Sequence, residues 1–225
     1  MANTARVTFA TEAGNAGGHL ARPGKGVPAL IVLQEWWGLV PHIEDVAGRF
    51  AAQGYLALAP DLYHGKSTLE AAEAEHLMKG LDWGRAAQEI AGAVTYLREV
   101  EGATRVGVTG FCMGGALTII AATQPGVDAY VAFYGFPPAG AAPVESITAP
   151  GILFFGEKEE YFSVPDAQAF AANQRKRGRE AEVVVYPDAG HAFFNDTRPE
   201  AYRKEAANDA WRRTLDHFGR HLRLG

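Results

Sequence analysis

The chain has 225 residues, 48% hydrophobic and 21% charged, with a net charge of −5. This is enough chain for one sizeable core, and the acidic balance excludes the basic footprint of a nucleic-acid binder. A single cysteine, Cys112, excludes an internal disulfide and fits a reducing compartment. There is no run of about 18 apolar residues to span a membrane, and residues 1–6 lack the apolar core of a signal peptide, so the expected location is the cytoplasm.

In chain order, Arg6–Ala10 and Gly18–Ala21 read as a first hairpin joined by the glycine-rich residues 13–17. Ala29–Leu33 is a continuous apolar strand of the kind buried on both faces of a parallel sheet. Pro41 opens a helix with Val46 and Phe50 on its inner face. Tyr55–Ala59 is the next buried strand. Ser67-Thr68-Leu69-Glu70 has the form of a capping box for a helix running to about Lys79. Asp82 caps a longer helix that turns Ala86, Ile90, Val94 and Leu97 inward. A strand at Arg105–Thr109 leads into a helix from Met113 to about Thr123. Strands at Ala129–Tyr134 and Gly151–Gly156 follow, then a helix capped by Ser163, a last strand at Glu182–Tyr186, and a last helix over Pro199–His221.

This alternation implies right-handed crossovers and a mostly parallel sheet of about 7–8 strands flanked by helices on both faces. The expectation is a single domain over residues 1–225. Ligands of such sheets bind beyond the C-terminal strand ends. That rule selects Glu35, Cys112, the acids after Gly156 and the loop after Tyr186.

Gly110-Phe111-Cys112-Met113-Gly114 has the form G-x-nucleophile-x-G between a strand and a helix, the nucleophile elbow of α/β-hydrolases. The flanking glycines remove Cβ atoms that would collide in so sharp a turn. The following helix aims its N-terminus at the thiol, where the Met113 N–H can receive an oxyanion and the positive helix end lowers a thiol pKa. The elbow requires an acid and then a histidine downstream. Of the seven histidines, only His191 follows Cys112 in a strand-end loop, where it can serve as base. The acid is expected three positions after Gly156, at Glu159, with Glu160 and Asp166 as alternatives. Glu35, between a buried strand and Trp36-Trp37, is a partly desolvated carboxylate at the same edge. Asn195-Asp196-Thr197 matches a glycosylation acceptor and is read as coincidence.

Through Gln34-Glu35-Trp36-Trp37-Gly38, Ala59-Pro60-Asp61-Leu62-Tyr63, Gly110–Gly115 and Gly190-His191-Ala192-Phe193, the chain resembles the dienelactone hydrolase family nearly end to end. The resemblance implies Cys112 as nucleophile, His191 as base, the N–H groups of Met113 and Trp36 as oxyanion hole, and Glu35 as a carboxylate that contacts the thiol and helps generate the thiolate when substrate binds. The chain departs from the family twice. Glu159 stands where aspartate is usual. Of the family's two carboxylate-binding arginines, the first region, Leu69–Lys79, offers none, and Asn195 occupies the second, with Arg198 three residues on.

The expected activity is hydrolysis of small carboxylic esters or lactones through a cysteinyl acyl-enzyme. It needs no cofactor, and no metal site is assigned. The alternative is a thiol-based ligand binder or redox-responsive protein with little turnover. The substrate pocket is expected from Trp37, Tyr63, Tyr134, Phe136, Phe193 and Arg198, aromatic enough with Trp36 to favour neutral acyl groups. A small-molecule ester or lactone is the expected partner, with no nucleic acid or membrane, and the chain is expected as a monomer or weak homo-oligomer.

Overall fold

A computed structural model describes residues 3–24 and 27–223. Eight strands form one sheet: β1 (Asn3–Thr11), β2 (Gly14–Arg22), β3 (Ala29–Leu33), β4 (Leu56–Pro60), β5 (Val106–Phe111), β6 (Ala129–Phe133), β7 (Gly151–Lys158) and β8 (Ala181–Gly190). Their order is β1-β2-β4-β3-β5-β6-β7-β8. The pairs β1/β2 and β2/β4 are antiparallel, and every pair from β4 to β8 is parallel. Every residue of β3, β4, β5 and β6 is buried. That matches the unbroken apolar runs, because helices cover both faces of a parallel sheet.

The helices are α1 (Pro41–Ala52), α2 (Ala71–Lys79), α3 (Trp83–Glu99), α4 (Met113–Ala121), α5 (Val164–Lys176) and α6 (Lys204–Leu222). Pro41 stands in the first turn of α1, and Val46 and Phe50 are buried. Asp82 caps α3 by accepting from the Arg85 N–H, and Ser163 caps α5 by accepting from the Asp166 N–H. Each cap satisfies a donor that the helix itself cannot. Among the described residues, no helix is long and apolar enough to cross a membrane.

Four local expectations are corrected. The glycine-rich segment is strand, since β1 and β2 pair through Thr11↔Gly14 and only Glu12 and Ala13 turn. No capping box forms: α2 begins after Glu70, which has no side-chain cap, because Ser67 bridges Gly38 and the Thr68 N–H is bonded to Trp37 O. The last helix starts at Lys204 rather than Pro199. The chain before it folds back, with the Arg203 N–H on Phe193 O at 2.9 Å, and cannot continue one helical axis. The last strand runs past Tyr186 to Gly190 because it stays paired to β7, across an irregularity, as far as Lys158↔Gly190.

Candidate active site

Cys112 is the single residue between β5 and α4, with φ 56° and ψ −118°. This left-handed conformation is costly for a residue with a side chain and is the strained turn expected of an elbow. Two glycines permit it. A Cβ on Gly110 would lie 2.3 Å from Gly114 O, and one on Gly114 would lie 2.5 Å from both Leu33 O and Gln34 O. The Cys112 N–H is bonded to Phe133 O at 3.0 Å, which holds the turn against β6. Met113 is the first residue of α4, so its N–H has no acceptor within the helix.

The pairing Lys158↔Gly190 aligns the ends of β7 and β8, and the next residue on each chain is Glu159 and His191. Both Glu159 carboxylate oxygens lie 2.9 Å from His191 Nδ1. The Glu159 side chain is fully covered, and its Oε1 also accepts from the Tyr161 N–H at 2.9 Å. Glu160 and Asp166 are exposed, Asp166 on the first turn of α5. The imidazole of His191 is enclosed by the rings of Tyr134, Tyr161 and Phe162 at 5.0, 4.8 and 5.9 Å. Burial works to lower the His191 pKa, but hydrogen bonds and charge from Cys112 and Glu159 outweigh it and raise the value to about 10.

Glu35, after β3, is 1% exposed. Its Oε1 accepts from the Tyr134 hydroxyl at 3.2 Å and its Oε2 from Asn195 Nδ2 at 2.7 Å. Asn195 Oδ1 in turn accepts from the Thr197 N–H at 3.0 Å and Thr197 Oγ1 at 2.6 Å, which fixes the amide with its NH₂ toward Glu35. Asn195 is 2% exposed, so the asparagine of the glycosylation-like triplet is buried, while Asp196 and Thr197 are exposed. Burial, then the Glu35 charge, holds the Tyr134 phenol well above its ordinary pKa, so it remains a donor.

A cavity of about 560 Å³ lies over this group, lined by Glu35, Trp36, Trp37, Cys112, Met113, His191 and Arg198. Its outer wall is Met78 and Lys79 of α2, Trp83 of α3, and Pro138, Tyr161 and Phe162. Arg198 lies over the Trp37 ring at 4.4 Å and bonds Glu200 at 3.1 Å. Four residues expected in the pocket are not among its lining. The Tyr63 hydroxyl points at Met113 Sδ, Tyr134 and Phe193 are fully buried, and Phe136 packs on Phe170. An aromatic residue in a sequence does not reveal which layer it occupies. The α2–α3 wall carried no signal beyond a helical pattern, and Asn195 stood out in the sequence only as a departure from the family and in a glycosylation-like triplet.

The Dienelactone hydrolase family model matches residues 16–222. The chain is 35% identical over 215 residues to "Protein usf" of Aquifex pyrophilus, covering 91% of this chain and 93% of that protein. It is 31% identical over 217 residues to the "Putative carboxymethylenebutenolidase" of Aquifex aeolicus, covering 92% and 94%. The solved "Putative Dienelactone Hydrolase" of Klebsiella pneumoniae superposes with a TM-score of 0.85 at 28% identity over 98% of this chain and all of that one. A mostly parallel sheet with a strained elbow, and these matches along nearly the whole chain, place the protein in the dienelactone hydrolase family of α/β-hydrolases, enzymes that hydrolyse ester and lactone bonds.

Proposed function

We propose that the protein acts as a single domain that hydrolyses small esters or lactones through a thioester on Cys112, with His191 carrying the proton, Glu159 orienting His191, and Met113 and Trp36 supplying the oxyanion hole. The observation that carries this reading is the Glu159 carboxylate on His191 Nδ1, which leaves Nε2 for Cys112, beside a cysteine held in an elbow.

The Cys112 thiolate attacks the carbonyl carbon, and the carbonyl electron pair moves to oxygen, where the two N–H groups receive it. The C–O bond to the leaving group breaks as His191 gives it a proton. The thioester carries no thiolate charge, so the largest influence raising the His191 pKa disappears at that step. The imidazole is then free to take a proton from water. Hydroxide adds to the thioester, and the acid leaves with the thiolate and imidazolium restored. Glu35, held by Tyr134 and Asn195 and lining the same cavity as Cys112, helps to generate the thiolate when substrate binds.

The preferred acyl group is neutral and mostly apolar. The walls are aromatic, and both cations at the rim already have carboxylate partners, Lys79 with Glu75 at 2.6 Å and Arg198 with Glu200. A second reading, a carboxylate-bearing lactone, is favoured by those same cations lining one cavity. Short p-nitrophenyl esters and butenolides, assayed with acid-quenched mass spectrometry, test the chemistry. The expected result is an acyl adduct on Cys112 that is formed and consumed within turnover. Hydrolysis with no adduct overturns the thioester, and thiol labelling without turnover moves the protein to the binder reading.

A further inference from the structure

At the opposite end of the sheet, before the N-terminal ends of β7 and β8, α6 carries His217 and His221 one turn apart against Glu180. We propose that these three residues form a binding site for a divalent transition metal of the zinc class, remote from the reacting groups, that ties the end of α6 to the turn preceding β8.

The argument starts from His217, whose side chain is fully buried. Its Nε2 lies 3.2 Å from Pro150 O. A carbonyl only accepts, so Nε2 carries the hydrogen and Nδ1 presents its lone pair. Nδ1 has no hydrogen-bond partner, and it faces Glu180 Oε1 at 3.9 Å. Two acceptors therefore confront each other, a buried ring nitrogen and a half-exposed carboxylate oxygen, an arrangement that is satisfied by a cation between them. An imidazole that donates one N–H to a backbone carbonyl and offers the other nitrogen is also how metal-bound histidines are held.

The remaining geometry is consistent with that cation. His221 Nε2 lies 3.3 Å from the same Glu180 oxygen, and one ligand atom from each residue falls within 4.8 Å of the others. Tetrahedral zinc with bonds of 2.0–2.1 Å needs donors about 3.3 Å apart. The pair His221–Glu180 already meets this. The other separations close by moving Glu180 and His221, which are 47% and 23% exposed, while His217 stays fixed. Two imidazoles and one carboxylate leave a fourth position for water. Arg220 Nη2 lies 3.6 Å from the Glu180 carboxylate and now supplies part of the positive charge. It is 61% exposed and free to turn into solvent when a metal takes its place.

The test uses untagged protein carrying Cys112→Ala, so that the active-site thiol cannot bind the probe. Cobalt(II) and zinc(II) are titrated separately, with cobalt absorption, calorimetry and thermal unfolding as readouts. One equivalent should bind, with the ligand-field bands of a four-coordinate cobalt site. Metal at about a hundredfold excess over its Kd should raise Tm by about 5–10 °C. His221→Ala and Glu180→Gln, both at accessible positions, should each weaken binding at least about tenfold. Absence of saturable binding overturns the proposal. So does binding that either variant leaves unchanged, which would place the metal elsewhere.

Discussion

Among the histidine–carboxylate pairs of the described residues, two stand at opposite ends of the sheet, and their environments differ in sign. His191 and Glu159 meet where β7 and β8 end, with both carboxylate oxygens at 2.9 Å and the acid fully covered. His217 and Glu180 meet where those strands begin, at 3.9 Å, with a half-exposed acid and the other ring nitrogen on a backbone carbonyl. Burial opposes the charged imidazole in both. At His191, Cys112 and Glu159 outweigh it and push the pKa up to about 10; at His217 burial and the neighbouring His221 win and bring it down to about 4. Proximity to a carboxylate does not by itself make a histidine a proton carrier. At His191 a covered carboxylate with both oxygens on one ring nitrogen, and a second ionisable group, favour the charged imidazole.

Removing the group that distinguishes the catalytic end should have the largest effect. Cys112→Ala should lower kcat for a short ester by about 10⁴ or more. Activity within tenfold of the parent would remove Cys112 from the chemistry. Glu159→Gln should follow, with kcat lower by about 10²–10⁴ and folding little changed. Glu180→Gln, the corresponding change at the other end, should leave kcat within about twofold, since it touches no reacting group. If Glu160→Gln or Asp166→Asn proves more damaging than Glu159→Gln, the orienting acid is misassigned.

The pH dependence sharpens the same contrast. The His191 pKa is raised above its ordinary 6.5, so its contribution to stability is complete below that pH and is lost as pH rises through about 10. Activity that depends on the thiolate–imidazolium pair should have an alkaline limb in the same region. Glu159→Gln removes one of the influences that raise the pKa and should move the limb of kcat/KM to lower pH. An unmoved limb would show that Glu159 does not act through His191.

Smaller effects are expected around Glu35. Asn195→Ala leaves a buried carboxylate with one donor fewer, at a cost of about 1–3 kcal/mol of stability. Chemical denaturation measures that loss, and Asn195→Asp should be worse than Ala because it sets two carboxylates together. The smallest is Arg198→Ala, which should change kcat/KM for neutral esters by less than about threefold, the scale of an exposed ion pair. Neutral esters should remain better substrates than a carboxylate-bearing dienelactone. A preference for the dienelactone, with KM raised about tenfold in Arg198→Ala, or about 1.4 kcal/mol, would show that Arg198 grips the carboxylate.

What the sequence by itself determined was local. Buried strands such as Ala29–Leu33, the caps Asp82 and Ser163, and the elbow around Cys112 depend on side chains within a few residues of one another, so their physics is written in a short window. Chain order was enough to single out His191. Tertiary structure decided the rest. It brought Glu159 onto His191 across 32 positions through strand pairing, and Asn195 onto Glu35 across 160. It shortened two helix starts, because backbone groups at Thr68 and Arg203 found partners outside any helix. It also sorted the aromatics, moving Tyr134 and Phe193 beneath the site while α2 and α3 supplied the wall with Met78, Lys79 and Trp83. Hydrogen bonds and burial between distant segments have no signature in composition or spacing, since the same residue types serve equally as wall or core until the chain has closed.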